Sequence, residues 1–177
     1  MTDLQKDSIF QCLTQLDDDL ISLYGLSKRF EMVVIGGSAL MLMDLVPNER
    51  FTTDIDILRV SQELESLLER YDMNTNAATY LYKYPLNWAR RLQSVPFDGQ
   101  VLDVYVLSNE DLAITKLLAW RAIDKKDLEA MRVSGCLDFG KLGAIFEDVA
   151  ELRPNLDEEE WAALMCRYEA LKDGSLA

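Results

Sequence analysis

Two aspartates, Asp54 and Asp56, stand two residues apart in the apolar segment Thr52 to Leu58. Because side chains alternate along a strand, both carboxylates would project from one face while Ile55 and Ile57 enter the core. Their Cα atoms would be about 6.6 Å apart. At an effective dielectric near 20 their repulsion would cost about 2–3 kcal/mol, and a cation would turn it into attraction. The pair predicts a metal site, and an ordinary solvent-facing strand edge is the alternative.

A glycine turn, Gly36-Gly37-Ser38, follows the apolar run Met32 to Ile35 and precedes the aspartates. Glycine lets a ligand approach the backbone closely, and a helix that begins at Ser38 would offer N–H groups to phosphate. Asp103, within the apolar segment VLDVYVL, adds a third carboxylate. Such oxygen ligands suit Mg²⁺, which completes its shell with water and substrate phosphates. Phosphate and metal sites side by side are what phosphoryl or nucleotidyl transfer requires.

The residue types that are absent narrow the chemistry further. The chain has no histidine, which excludes Ser/His and Cys/His nucleophile systems, histidine-containing zinc sites and a histidine general base. Its three cysteines, Cys12, Cys136 and Cys166, lack the CxxC spacing of a zinc site and do not form a disulfide framework. We expect them to be buried thiols. Acid/base and metal chemistry therefore falls to carboxylates, lysine or tyrosine.

Composition and charge are those of a soluble, acidic globular protein. The 177 residues are 49% hydrophobic and 28% charged, with a formal net charge of -13. That charge argues against broad binding of DNA or RNA through phosphate neutralisation. A local basic patch of Lys83, Arg90 and Arg91 is an alternative, but we favour a solvated loop and strand margin. With no apolar run near the roughly 20 residues of a membrane span and no signal-peptide pattern, we expect a cytoplasmic protein without membrane contact.

Hydrophobic periodicity and turn residues predict the elements around these groups. Apolar residues at steps of three and four predict a helix over residues 3–26 that ends at Gly25. Asp98-Gly99 predicts a tight β-hairpin turn between strands at 92–97 and 101–107. A short strand is expected within a loop at 72–90. Two further strands are predicted at 32–35 and 52–58, and further helices at 38–45, 61–71, 108–122, 125–132, 139–152 and 157–172.

The order of these elements indicates the fold class. All predicted strands precede residue 108 and only helices follow, which is typical of an α/β (α+β) protein with a mixed β-sheet flanked by helices. We expect a core over residues 1–132, including the N-terminal helix. A C-terminal helical extension over residues 133–177 would pack on that core.

The ordered segments GGSALML, RFTTDIDIL and VLDVYVL, over about residues 32–107, resemble the nucleotidyltransferases of the DNA polymerase β superfamily. The pattern of that superfamily is a strand, a GGS or GS turn and helix, then DxD on the next strand and a third acid on a later one. The motif R-x-T-x-D-x-D, together with KLLAWRAIDKKDLEAM, extends the resemblance to about residue 132. It resembles the branch that includes AbiE-type abortive-infection toxins and related uncharacterised bacterial proteins.

The resemblance implies a role for each matching residue. Asp54, Asp56 and Asp103 would ligate Mg²⁺ or Mn²⁺, and Asp103 would face the acceptor hydroxyl as base or ligand. Lys116 would reach the triphosphate from the helix that follows Asp103. The other residues would bind the nucleotide (Gly36, Gly37, Ser38 and Arg50) or support the site (Thr52, Arg121 and Asp127).

The implied activity is magnesium-dependent transfer of a nucleoside monophosphate from a nucleoside triphosphate (NTP) to an unidentified acceptor. The acceptor would be a small molecule, a protein or an RNA end, and pyrophosphate would be released. The alternative is a catalytically silent binding module, or a toxin–antitoxin component with a cognate partner protein. A Rossmann-type phosphate site fits less well, because no G-x-G-x-x-G pattern follows Gly36.

Overall fold

The computed structural model describes residues 4–76 and 82–176, which group into two compact units. The first unit comprises residues 4–76 and 92–106, and the second comprises residues 82–91 and 107–176. Residues 107–132 therefore belong to the same compact unit as the helices that follow them. The predicted domains, 1–132 and 133–177, stay a prediction.

The first unit is built on a mixed five-stranded sheet flanked by helices. The strand order is β3-β2-β1-β5-β4; β1 is antiparallel to β2 and parallel to β5, β3 is parallel to β2, and β4 is antiparallel to β5. The strands are β1 (Phe30–Ile35), β2 (Ile55–Val60), β3 (Met73–Asn74), β4 (Gln93–Ser94) and β5 (Leu102–Val106). The helices are α1 (Lys6–Tyr24), α2 (Gly36–Leu42) and α3 (Glu65–Leu68), the last between 3-10 turns at Gln62–Leu64 and Glu69–Tyr71.

The core of this unit follows the predicted periodicity. Ile9, Leu13, Leu16 and Leu20 are fully buried along one face of α1, and Gly25 ends that helix in the left-handed region at φ +74°. The central strand β1 is buried at all four positions from 32 to 35. Because α1 packs on α2, and α2 contacts both β1 and β2, the helices fix the glycine turn against the sheet.

The predicted tight turn at Asp98-Gly99 is wrong, although the antiparallel pairing of β4 with β5 is confirmed. Gly99 lacks the positive φ that a two-residue hairpin turn of this type requires. Residues 95–101 form a longer loop instead, anchored by Asp17 of α1. Its carboxylate accepts hydrogen bonds from the backbone N–H groups of Gln100, Val101 and Leu102, at 2.8–2.9 Å.

The second unit is helical in its described part. Its helices are α4 (Asn109–Ala119), α5 (Ala122–Ser134), α6 (Phe139–Glu147), α7 (Val149–Leu152) and α8 (Glu158–Asp173). Ser108 caps α4 by accepting the N–H of Asp111, and Asp157 forms a capping box with Glu160 at the start of α8. The single helix predicted over 139–152 is two helices.

The cysteines and the helix lengths can also be compared with the sequence predictions. Cys12 and Cys136 are half-buried and Cys166 is exposed, so the prediction of three buried thiols is wrong. In the described residues, no helix combines the length and apolar character that crossing a membrane demands.

Candidate active site

The carboxylates of Asp54 and Asp56 meet at the side chain of Asn74. Asp54 directly precedes β2, Asp56 is the second residue of β2, and Asn74 lies opposite Asp56 on the parallel strand β3. The amide nitrogen Nδ2 of Asn74 is 2.9 Å from Oδ2 of Asp54 and 3.4 Å from Oδ1 of Asp56. Both carboxylates therefore face one point, which confirms the prediction that they share one side of the strand.

Gly36 brings the glycine turn against the Asp56 carboxylate. Its φ of +68° lies in the left-handed region, and a Cβ built there would be 2.8 Å from Oδ2 of Asp56. Any other residue would be strained at this φ and would also displace that carboxylate. The turn is thus shaped around Asp56, and α2 begins at Gly36 rather than at the predicted Ser38.

Arg50 and Thr52 line the other side of the glycine turn. A Cβ built on Gly37 would lie 3.1 Å from Nη2 of Arg50 and 3.4 Å from Oγ1 of Thr52. The guanidinium group also donates a hydrogen bond from Nη1 to the carbonyl of Phe51. A guanidinium group presents several N–H donors in a planar fork that suits phosphate. The arrangement places positive charge at the turn where the resemblance expects phosphate.

Ser38 and Thr52 fix the backbone that holds Asp54. The Ser38 hydroxyl, in a side chain only 1% exposed, donates to the Asp54 carbonyl at 2.9 Å. The Thr52 hydroxyl donates to the same oxygen at 3.1 Å. The hydroxyl of Ser38 therefore holds the backbone of Asp54, and the contact of Ser38 with phosphate stays a prediction. The supporting role of Thr52 in a nucleotide site likewise stays a prediction.

The structure does not bring Asp103 to the aspartate pair. Asp56 of β2 pairs with Ile35 of β1. Asp103 of β5 pairs with Glu31, which lies four residues before Ile35 on β1. That separation is about 13 Å along the strand, and β2 and β5 flank β1 on opposite sides, which adds about 10 Å across the sheet. Metal–oxygen bonds of about 2.1 Å cannot span this distance.

Asp103 instead forms an ion pair with Arg29. Its carboxylate accepts hydrogen bonds from Nε of Arg29, at 2.9 Å, and from Nη2. The hydrogen bond from Arg29 is the main reason that the pKa of Asp103 lies below its ordinary value. The prediction that Asp103 is a third metal ligand is therefore wrong for this structure. Among the residues that the structure describes, no group of three acidic, histidine or cysteine side chains is arranged to hold a metal.

Lys116, in the second unit, lies in a buried ion cluster. Its Nζ donates to Oδ1 of Asp124 at 3.0 Å and to Oδ2 of Asp127 at 2.9 Å, and all three residues are at most 3% exposed. Arg121 also binds Asp124, at 2.7 Å. Burial alone would raise the pKa of Asp124, but the hydrogen bond from Arg121 and the charge of Lys116 outweigh it and lower the pKa.

This cluster constrains the roles that the resemblance gave to its members. Lys116 would have to leave both carboxylates before it could reach a triphosphate, and the two buried charges left behind would be costly. Its role toward the nucleotide, and the supporting roles of Arg121 and Asp127, stay predictions.

Asn74, which contacts both aspartates, was not among the residues predicted from the sequence. Asn74 lies in the two-residue strand β3, within a stretch that composition predicts as mostly loop. Two residues show no alternation, so only its position after the apolar Met73 could have indicated an inward-facing polar group.

The donor set at this point fits a magnesium ion. Mg²⁺ in proteins is commonly held by one or two carboxylates, with water and substrate phosphates completing the octahedron. Asp54 and Asp56 provide two carboxylates that converge on one point. They would hold Mg²⁺ or Mn²⁺, and the glycine turn with Arg50 would face the phosphates.

Comparison with known proteins gives a family and one related structure. A family model described as "nucleotidyltransferase of unknown function (DUF6036)" matches residues 11–176. The crystal structure of an antigenic nucleotidyltransferase-like protein from Paracoccidioides brasiliensis is similar at 15% identity and a TM-score of 0.48, over 99% of this chain and 94% of that one. Curated proteins gave no match. Because the family model spans almost the entire sequence, the chain belongs to this family of nucleotidyltransferases of unknown function.

Proposed function

We propose that this protein is a magnesium-dependent nucleotidyltransferase that moves a nucleoside monophosphate from an NTP to an acceptor hydroxyl. The observation that carries the proposal is the convergence of Asp54 and Asp56 on one point, 2.9 Å and 3.4 Å from the same Asn74 nitrogen, beside the turn at Gly36. Membership of a nucleotidyltransferase family supports it. The AbiE-like branch of the superfamily is part of this proposal.

The proposed reaction replaces one phosphate bond with another. The acceptor oxygen forms a bond to the α-phosphorus while the α–β phosphoanhydride bond breaks. Pyrophosphate leaves with the electron pair, and the hydroxyl proton passes to solvent. A bound divalent cation supplies Lewis-acid stabilisation of the phosphate charge.

The residues of the chain contribute binding and electrostatics rather than covalent chemistry. Asp54 and Asp56 would hold the cation, while the glycines at 36 and 37 would let phosphate oxygens approach the backbone. Arg50, which lies against Gly37, would offset the negative charge of the triphosphate. Ser38 and Thr52 would keep Asp54 in place through its carbonyl.

Calorimetric titration tests the nucleotide site directly. Each of the four common NTPs, with Mg²⁺ or Mn²⁺, is titrated into the native protein, Asp54→Asn and the matched control Asp98→Asn. Asp98 is an exposed acid of the same unit. We expect metal-dependent binding by the native protein and the control, and at least tenfold weaker binding by Asp54→Asn. Absence of binding of every NTP by the native protein would contradict the proposal.

Asp103→Asn tests the conclusion, drawn from the strand registers, that Asp103 lies outside the nucleotide site. We expect native nucleotide affinity and at most a small loss of thermal stability, because Arg29 loses its charged partner but still donates to the carbonyl of Gln100. A loss of nucleotide binding as large as that of Asp54→Asn would restore Asp103 to the site.

A second candidate function is a catalytically silent nucleotide-binding module, acting as a toxin–antitoxin component with a partner protein. It is favoured by one observation: the side chain that bridges the two aspartates is the amide of Asn74 rather than a carboxylate. Pyrophosphate release, measured with labelled NTP and candidate acceptors, separates the two functions. Binding without turnover across small-molecule, protein and RNA acceptors would favour the silent module.

A further inference from the structure

Asn74 presents a hydrogen-bond donor to the two carboxylates. Its Oδ1 accepts the backbone N–H of Asn76 at 3.0 Å, so Nδ2 is the end of the amide that faces Asp54 and Asp56. An amide nitrogen donates hydrogen bonds and has no lone pair available for a hard cation. The side chain of Asn74 therefore stabilises both carboxylates in the absence of metal.

This arrangement weakens the site for a free cation in two ways. The N–H groups of Asn74 offset part of the repulsion between the aspartates, which is the energy that a cation would otherwise relieve. The described side chains also supply only two carboxylates, and the affinity of an oxygen site for a divalent cation depends on the number of charged ligands. Triphosphate oxygens would provide the charge and the ligands that Asn74 does not.

We propose that Asn74 keeps the affinity of this site for a divalent cation low until a nucleotide is present, so that metal and triphosphate bind together. The inference rests on the proposed function for the identity of the second ligand. Because coupling between two binding events is reciprocal, the metal must raise nucleotide affinity by the same factor by which nucleotide raises metal affinity.

A matched pair of variants tests the role of Asn74. Asn74→Asp and Asn76→Asp add the same negative charge to the same short segment, but residue 74 is hydrogen-bonded to both aspartates, whereas residue 76 is exposed to solvent. Mn²⁺ binding without nucleotide is measured by electron paramagnetic resonance. We expect Asn74→Asp to bind Mn²⁺ at least tenfold more tightly than both Asn76→Asp and the native protein. Equal affinities for the two variants would overturn the inference.

The native protein provides the second measurement. Its Mn²⁺ affinity should rise at least tenfold when α,β-methylene ATP, an analogue that resists transfer, is present at saturating concentration. In Asn74→Asp the same addition should produce a smaller increase, because the introduced carboxylate already supplies a ligand. An equal or larger increase in Asn74→Asp would contradict the role given to Asn74.

Folding is controlled by thermal melting followed by circular dichroism. Three adjacent carboxylates should lower the Tm of Asn74→Asp without metal, and Mn²⁺ should raise it by more than it raises the Tm of Asn76→Asp. No difference between the two shifts would count against the inference.

The two proposals fail in different ways. Metal-dependent NTP binding by the native protein, with identical Mn²⁺ affinities for the two variants, would leave the function standing and remove the role of Asn74. Tight Mn²⁺ binding by Asn74→Asp without NTP binding by any form would remove the proposed function and leave the effect of Asn74 on metal affinity standing.

Discussion

At the scale of single residues, Gly36 determines how closely the backbone approaches Asp56. Gly36→Ala would place a Cβ 2.8 Å from Oδ2 of Asp56 at a φ of +68°. We expect a loss of about 1–2 kcal/mol of stability from the left-handed backbone. We also expect at least tenfold weaker metal-dependent NTP binding by calorimetry, because the Asp56 carboxylate must move.

Gly25→Ala is the matched control for this prediction. Gly25 has a similar φ of +74°, but within the described chain no atom lies within 4 Å of a Cβ built there. Its stability should also fall, because a φ of +74° with a ψ of −176° is open almost only to glycine, while nucleotide affinity stays native. Equal losses of binding in both variants would show that strain, rather than the displaced carboxylate, explains the effect of Gly36→Ala.

At the scale of elements, one side chain of α1 anchors the start of β5. Asp17 is 5% exposed and accepts the N–H groups of Gln100, Val101 and Leu102. Asp17→Ala would leave at least two buried donors without acceptors, so we expect a loss of about 2–4 kcal/mol from these unsatisfied groups. Urea denaturation measures the difference. The exposed neighbouring variant Asp18→Ala should change stability by less than about 0.5 kcal/mol.

The same contact explains where sequence reasoning succeeded and where it failed. Helix α1 and the shared face of Asp54 and Asp56 were predictable because periodicity and strand alternation are local properties. The Asp98-Gly99 turn was predicted wrongly because an acid some 80 positions earlier, Asp17, shapes the loop instead. A local pattern does not contain that information.

The misplaced and missed site residues have the same origin. Asp103 lies mid-strand in apolar surroundings, as expected, but its distance from Asp56 is set by the registers of β1 with β2 and of β1 with β5. Asn74 reaches the pair through the β2–β3 register, from a strand too short to recognise by alternation. Residue types and spacing therefore predicted that Asp54 and Asp56 lie together, whereas strand pairing decided which other side chains lie beside them.

At the scale of the whole molecule, excess negative charge opposes the compact state. The chain has 31 acidic and 18 basic residues, a formal net charge of -13. Exposed pairs such as Lys28–Glu63 and Lys172–Glu169 offset little of this repulsion, because each is worth about 0–1 kcal/mol. Salt weakens attraction within such pairs and repulsion among the excess carboxylates alike, so the sign of the salt effect shows which of the two is larger.

We predict that the free energy of unfolding at pH 7 rises between about 0.01 and 0.1 M NaCl, as the Debye length falls from about 30 Å to about 10 Å. Urea, an uncharged denaturant, keeps ionic strength independent of denaturation. Circular dichroism follows both units, while fluorescence follows the second unit, which contains Trp88, Trp120 and Trp161. Near pH 4, where reference carboxylates are about half protonated, the same salt step should stabilise less because the excess negative charge is smaller. A fall in stability with salt at pH 7 would instead show that ion pairs, rather than net charge, dominate the electrostatics of this protein.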